Sequence, residues 1–150
     1  MTVFARLSAF VVLAFLVSCV AASSHTVTVV NNCGTPTEMQ LPGRGVYGAG
    51  TYNFDGDVNG GIASPCSDIN GVGCISIEFT LVDGVSSADI TLIPPHQFDH
   101  PAQFSLNNGA TGATCSNANC GPNNAFYKSD DYTAQRQVNG PGSSIYMQFC

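Results

Sequence analysis

Ile75-Ser76-Ile77-Glu78-Phe79-Thr80-Leu81-Val82-Asp83-Gly84-Val85-Ser86-Ser87-Ala88-Asp89-Ile90-Thr91-Leu92-Ile93 is the stretch that decides the fold. In its first half Ile75, Ile77, Phe79 and Leu81 alternate with Ser76, Glu78 and Thr80. Side chains of a strand point to opposite faces in turn, so this alternation describes a strand with one buried face. The second half repeats the pattern, Ala88, Ile90 and Leu92 against Asp89 and Thr91. Asp83-Gly84 between them is a turn signal, and the two halves make an antiparallel hairpin. Opposite residues must share a face, so a loop of Asp83 to Ser86 sets Thr80 against Asp89 and Glu78 against Thr91. A slip of one residue would set Glu78 against Leu92. In the polar register Glu78 and Asp89 are diagonal neighbours with Cβ atoms roughly 7–8 Å apart.

Outward from the hairpin the chain keeps the same character. Pro94-Pro95 ends the second strand, because proline gives a ladder no donor. Thr26 to Val29 and Ser143 to Phe149 alternate well; Tyr52 to Phe54, Gly61 to Ala63 and Tyr132 to Val138 are weaker strand candidates. The Asn- and Gly-rich segment Asn107 to Asn124 reads as a long loop pinned by a Cys115/Cys120 crosslink. Helical periodicity is missing beyond the first segment, while Gly, Asn, Pro and Ser punctuate the rest. These features predict an all-β domain, a sandwich or barrel of antiparallel strands.

The N-terminal segment has one cation, Arg6, an apolar run from Ala9 to Val17 and then small residues. That layout predicts a signal peptide over residues 1–22, cut after Val20-Ala21-Ala22, and a domain over residues 23–150. The apolar run is shorter than the ~20 residues of a membrane-spanning helix. Leu16-Val17-Ser18-Cys19 also has the form of a bacterial lipobox, which would leave Cys19 lipidated. Removal of the signal leaves six cysteines, Cys33, Cys66, Cys74, Cys115, Cys120 and Cys150. An even number in an exported chain implies three disulfides, with their pairing open at this level. Cys115-x4-Cys120 lacks the second cysteine pair of a zinc finger.

Formal charge is −6, and beyond the signal the cations are Arg44, Lys128 and Arg136. So few cations disfavour nucleic acid and anionic membranes, whose phosphates must be neutralised. His96 and His100 have the i, i+4 spacing of helical metal ligands, but prolines 94, 95 and 101 argue against a helix there. No metal, cofactor, nucleotide loop or nucleophile elbow is expected. Tyr47, Tyr52, Phe54, Tyr127 and Tyr132 sit in polar surroundings where a sugar could stack, although most are expected to pack the sandwich edge.

Several stretches together resemble the small thaumatin-like proteins of the short, fungal type. Thr28-Val29-Val30-Asn31-Asn32-Cys33 is similar to the family's first strand and first cysteine, and Gly142 to Cys150 to its last strand and last cysteine. Ile77 to Leu81 and Ala88 to Ile93, followed by Gln97-Phe98 and Pro101, resemble its central block. The resemblance implies a flattened β-sandwich with Cys33 paired to Cys150, Cys66 to Cys74 and Cys115 to Cys120. The first of these bridges would close nearly the whole domain, worth about 5 kcal/mol in an ideal-chain treatment.

Larger members carry an acidic cleft of one Arg, one Glu and three Asp that binds or slowly hydrolyses β-1,3-glucans. Glu78 and Asp89 match two of those positions. Ala63 stands where the Arg is expected, Pro94 where one Asp is expected, and the last falls loosely near Asp130 or Asp131. The resemblance therefore implies a secreted, monomeric, cell-wall-associated protein that contacts cell-wall β-glucan through Glu78, Asp89, Thr80 and Thr91 in defence or wall remodelling. Two alternatives are weak endo-β-1,3-glucanase activity with Glu78 and Asp89 catalytic, and a role against a secreted foreign protein as inhibitor, antimicrobial or effector. A pair of carboxylates is the equipment of glycoside hydrolysis, provided one of them stays protonated near neutral pH.

Overall fold

A computed structural model describes residues 23–150. The segment expected to be a signal peptide, with Cys19, lies outside the described residues. Eleven strands follow in chain order: β1 (Ser24–Asn31), β2 (Glu38–Leu41), β3 (Gly45–Tyr47), β4 (Gly50–Asp55), β5 (Val58–Ser64), β6 (Ser76–Leu81), β7 (Gly84–Thr91), β8 (Ala102–Leu106), β9 (Thr111–Cys115), β10 (Arg136–Gly140) and β11 (Ser144–Phe149). Short 3-10 turns cover Asn107–Gly109 and Tyr132–Ala134. No helix among the described residues is long and apolar enough to cross a membrane.

The strands form two sheets, one of five in the order β4-β1-β11-β8-β9 and one of six in the order β10-β7-β6-β5-β2-β3. Their inner faces supply the core, where Val27, Met39, Leu41, Ile75, Ile77, Leu81, Ile90, Leu106, Ile145, Met147 and Phe149 are fully buried. Each strand contributes alternate residues, so the period-2 pattern of the sequence becomes two apolar faces pressed together. β1 and β11 are adjacent and parallel, Val27 beside Ile145 and Asn31 beside Phe149. The ladder sets Cys33 next to Cys150, and the crosslink between them spans 117 positions. The other disulfides join Cys66 to Cys74 and Cys115 to Cys120, the same pairs that the resemblance implied.

The hairpin is present, in a different register. Glu78 faces Asp89 directly, Thr80 faces Ser87 and Ser76 faces Thr91. Its turn is tighter than expected, because the Gly84 N–H donates to the Val82 carbonyl at 2.8 Å. Ser86, buried, closes it: its Oγ accepts the Val82 N–H and donates to the Val82 carbonyl. A displacement of two residues leaves every side chain on its expected face, so face matching alone could not separate the two registers.

One loop assignment and one strand assignment also change. The segment expected as a long loop after Asn107 contains β9, which pairs with β8 from Ala102↔Cys115 to Leu106↔Thr111. Tyr132 to Val138 is a 3-10 turn followed by β10. The two arginines act as braces between segments. Arg44 donates to the carbonyls of Asp55, Gly56 and Asp57, and Arg136 to those of Gly112, Asn123, Thr133 and Gln135.

Candidate functional site

Glu78 on β6 and Asp89 on β7 occupy directly opposed positions on the outer face of the six-stranded sheet. Directly opposed side chains start from Cβ atoms roughly 5 Å apart, so their carboxyl groups are neighbours rather than diagonal partners. Two hollows meet at this pair. One, of about 380 Å³, is lined by Gly60, Gly61, Ile62, Thr80, Ser87 and Gln135 together with the two acids. The other, of about 240 Å³, adds Ile93, Phe126 and Ser129 on the opposite side of the same pair. Together they form a shallow groove with the carboxylates at its middle.

The sequence explains the shape. β5 carries Gly60 and Gly61, and its pairing with β6 slips between Val58 and Gly61. The irregularity lowers the sheet surface beside Thr80, whose Oγ1 accepts the Gly60 N–H at 3.1 Å. Gly61 faces inward, where the Phe79 ring lies so close that a Cβ would stand 2.5 Å from its Cζ. On the opposite side the segment at Phe126 runs beside β7, its N–H donating to the Ile90 carbonyl and its carbonyl accepting the Leu92 N–H. This segment walls the second hollow.

The two acids differ electrostatically. Glu78 is exposed, whereas Asp89 is half-buried. Burial, and next the charge of Glu78, push the Asp89 carboxyl up from its ordinary 3.8 to about 7. No cation lines either hollow. Lys128 pairs with Asp130 at 3.3 Å on the surface.

Several expected site residues stand elsewhere. Thr91 is 2% exposed and its Oγ1 accepts the Ile93 N–H, so it lines neither hollow. Ala63 is buried in the core, where an arginine could not be solvated. Asp131 has a local role: its Oδ2 accepts the N–H groups of Tyr127 and Lys128. Ser87, Gln135 and Phe126 were not foreseen. Ser87 followed from the true hairpin register, while Gln135 and Phe126 arrive from distant segments that no local pattern connects to the sheet.

The histidines serve separate ends. His96 Nδ1 lies 3.0 Å from the Gly71 carbonyl and 3.1 Å from the Ser76 hydroxyl, whereas His100 Nδ1 lies 2.9 Å from Asp99 Oδ2. The group of Cys33, Cys150 and His100 has ligand-type atoms close together, but its two sulfurs are bonded to each other. Of the aromatic candidates, Tyr47, Tyr52 and Phe54 pack in one cluster, Tyr47 T-shaped against the other two and Tyr52 stacked with Phe54, with the Arg44 guanidinium 5.4 Å from the Phe54 ring. Tyr127 is tied down through its hydroxyl to the Ala118 carbonyl. Tyr132, three residues before Gln135, is 75% exposed.

No protein-family model matches the chain, and no curated protein matches it by sequence. Solved structures do. The thaumatin-like xylanase inhibitor TLXI superposes with a TM-score of 0.53 at 15% identity, over 84% of this chain and 98% of that one. The protein elicitor MoHrip2 from Magnaporthe oryzae gives 0.54 at 14% identity, over 86% of this chain and 99% of that one. At such identities the likeness concerns the fold, and the fold is the small thaumatin-like one.

Proposed function

We propose that this protein acts outside the cell as a defence or wall-remodelling protein that binds the β-1,3-glucan of a cell wall in the groove over Glu78 and Asp89. The observation that carries this reading is the placement of two adjacent carboxyl groups midway along a groove that is open on both sides of them. Sugar hydroxyls donate to carboxylates, and the Thr80 and Ser87 hydroxyls and the Gln135 amide supply partners of both senses. A groove free of cations suits an uncharged polymer, since nothing in it calls for a phosphate or an acidic sugar.

A second reading has its own observation. Asp89, with its carboxyl raised to about 7, keeps its proton at mildly acidic pH beside the Glu78 carboxyl. That is the division of labour of a glycosidase, in which Asp89 protonates the leaving oxygen and Glu78 serves as base or nucleophile. Slow hydrolysis would then accompany binding.

Sedimentation with insoluble β-1,3-glucan, paired with reducing-sugar release from laminarin, separates the two. Binding without release supports a lectin-like role. Release that Glu78→Gln and Asp89→Asn each abolish supports hydrolysis. A wild-type protein that neither sediments nor releases sugar refutes both.

A further inference from the structure

The outer face of the five-stranded sheet, on the side of the sandwich away from the groove, has a chemistry of its own. Cross-strand registers place Asn53, Thr26 and Ser144 in one row across β4, β1 and β11. The next row is Thr51, Thr28, Tyr146 and Ser105. A third contains Gln148, Gln103 and Thr114. All of these carry neutral hydrogen-bonding groups, and the charged outward residue on this face is Asp55, at the end of edge strand β4.

These side chains are organised by one another. Thr26 Oγ1 donates to Asn53 Oδ1 at 2.8 Å, and the Thr28 and Thr51 hydroxyls lie 3.1 Å apart. The Gln148 Oε1 accepts from Gln103 Nε2 at 3.2 Å and from the Tyr146 hydroxyl at 3.0 Å. Tyr146 stands at the centre with its side chain 39% exposed. Strands ~4.8 Å apart with outward residues every ~7 Å repeat a polar group on the scale of a sugar ring. At the edge of this array Gln103, Thr114 and Gln148, with Pro101 and Ser116, line a hollow of about 190 Å³.

We propose that this face is a second, independent docking surface for an uncharged, insoluble polysaccharide. The absence of charge selects the partner. Nothing in these rows pairs with a phosphate, a sulfate or an ammonium group, whereas hydroxyls and amides exchange their water for sugar hydroxyls at little cost. The Tyr146 ring adds apolar contact, and the hollow gives a chain an end point on an otherwise flat plane. The two surfaces lie on opposite sides of one sandwich, so the flat face holds the protein on a particle while the groove remains open to a second chain.

The test measures sedimentation isotherms on cellulose, chitin and β-1,3-glucan particles in parallel. Wild type, Tyr146→Ala, Thr28→Lys, Tyr146→Phe and the groove double variant Glu78→Gln/Asp89→Asn are compared, with circular dichroism and thermal midpoints confirming that each is folded. The expected result is binding to at least one polymer that falls at least tenfold in Tyr146→Ala and Thr28→Lys. Tyr146→Phe, which keeps the ring, stays within threefold of wild type, and on the groove variant, where this face alone is left to bind, Tyr146→Ala and Thr28→Lys bring the same loss. Binding to none of the three polymers overturns the proposal. So does binding that survives both face substitutions when the groove variant carries them.

Discussion

Substituting Asp89 by asparagine removes the charge whose burial is the costliest feature of the groove. In the folded protein the Asp89 carboxyl titrates near 7, against 3.8 for an unhindered aspartate. A folded value above the unfolded one means that the native state holds a proton that the unfolded chain has lost. Stability therefore falls as pH rises from about 4 to about 7, by about 1.4 kcal/mol per pH unit, and levels off above 7. The full interval corresponds to about 4 kcal/mol. Water reaches part of the Asp89 side chain, and screening reduces this to roughly 2 kcal/mol. Asparagine keeps the shape without the charge, so Asp89→Asn should match wild type at pH 4 and exceed it by roughly 2 kcal/mol at pH 8. Guanidinium unfolding at the two pH values measures the difference directly, with the disulfides kept intact. Glu78→Gln, which removes the smaller, coulombic contribution, should give an intermediate gain. Equal stabilities of wild type and Asp89→Asn at both pH values would show that the groove leaves Asp89 as well hydrated as a surface carboxylate, and the acid–base division proposed for the pair would fall with it.

Two further outcomes test the scaffold. Gly61→Ala should cost about 1–3 kcal/mol, read as a lower thermal midpoint, because its Cβ would overlap the Phe79 ring; Phe79→Leu in the same chain should recover part of the loss, and additive effects would disprove the contact. Replacing Cys33 and Cys150 together by serine should cost about 2–5 kcal/mol in chemical denaturation, and an unchanged unfolding midpoint would mean that the bridge constrains nothing the β1–β11 ladder does not already hold.

Much of the architecture was legible wherever alternation was strong. Thr26 to Val29, Ile75 to Leu81, Ala88 to Leu92 and Ser143 to Phe149 all lie in or beside core strands, since period-2 patterning records which face is buried. Register was less legible. Parity limits it to steps of two, and the choice between them rested on Ser86, whose buried hydroxyl closes the turn. β9 was hidden because Thr111, Ala113 and Cys115 are only mildly apolar and sit between asparagine-rich stretches, although their spacing carries the same alternation. β2 and β3 are short, and the turn between them reads as loop composition. For the site, Glu78 and Asp89 were visible as polar interruptions of apolar strands. Gln135 and Phe126 were not, because what brings them there is tertiary: Arg136 fastening the Asn123 and Gly112 backbones, and Phe126 bridging to Thr91.

The parallel pairing of β1 with β11 also governs when the molecule can fold. The centre of the five-stranded sheet is built from the first and last strands of the domain, so the β4–β1 pair and the β8–β9 hairpin cannot join into one sheet until β11 is available. Loop closure over such a span is entropically slow, which places this chain among the late and gradual folders rather than those that fold as they emerge from the ribosome. The Cys33–Cys150 crosslink can close only once both ends of the domain have met, whereas Cys66–Cys74 and Cys115–Cys120 close within their own loops.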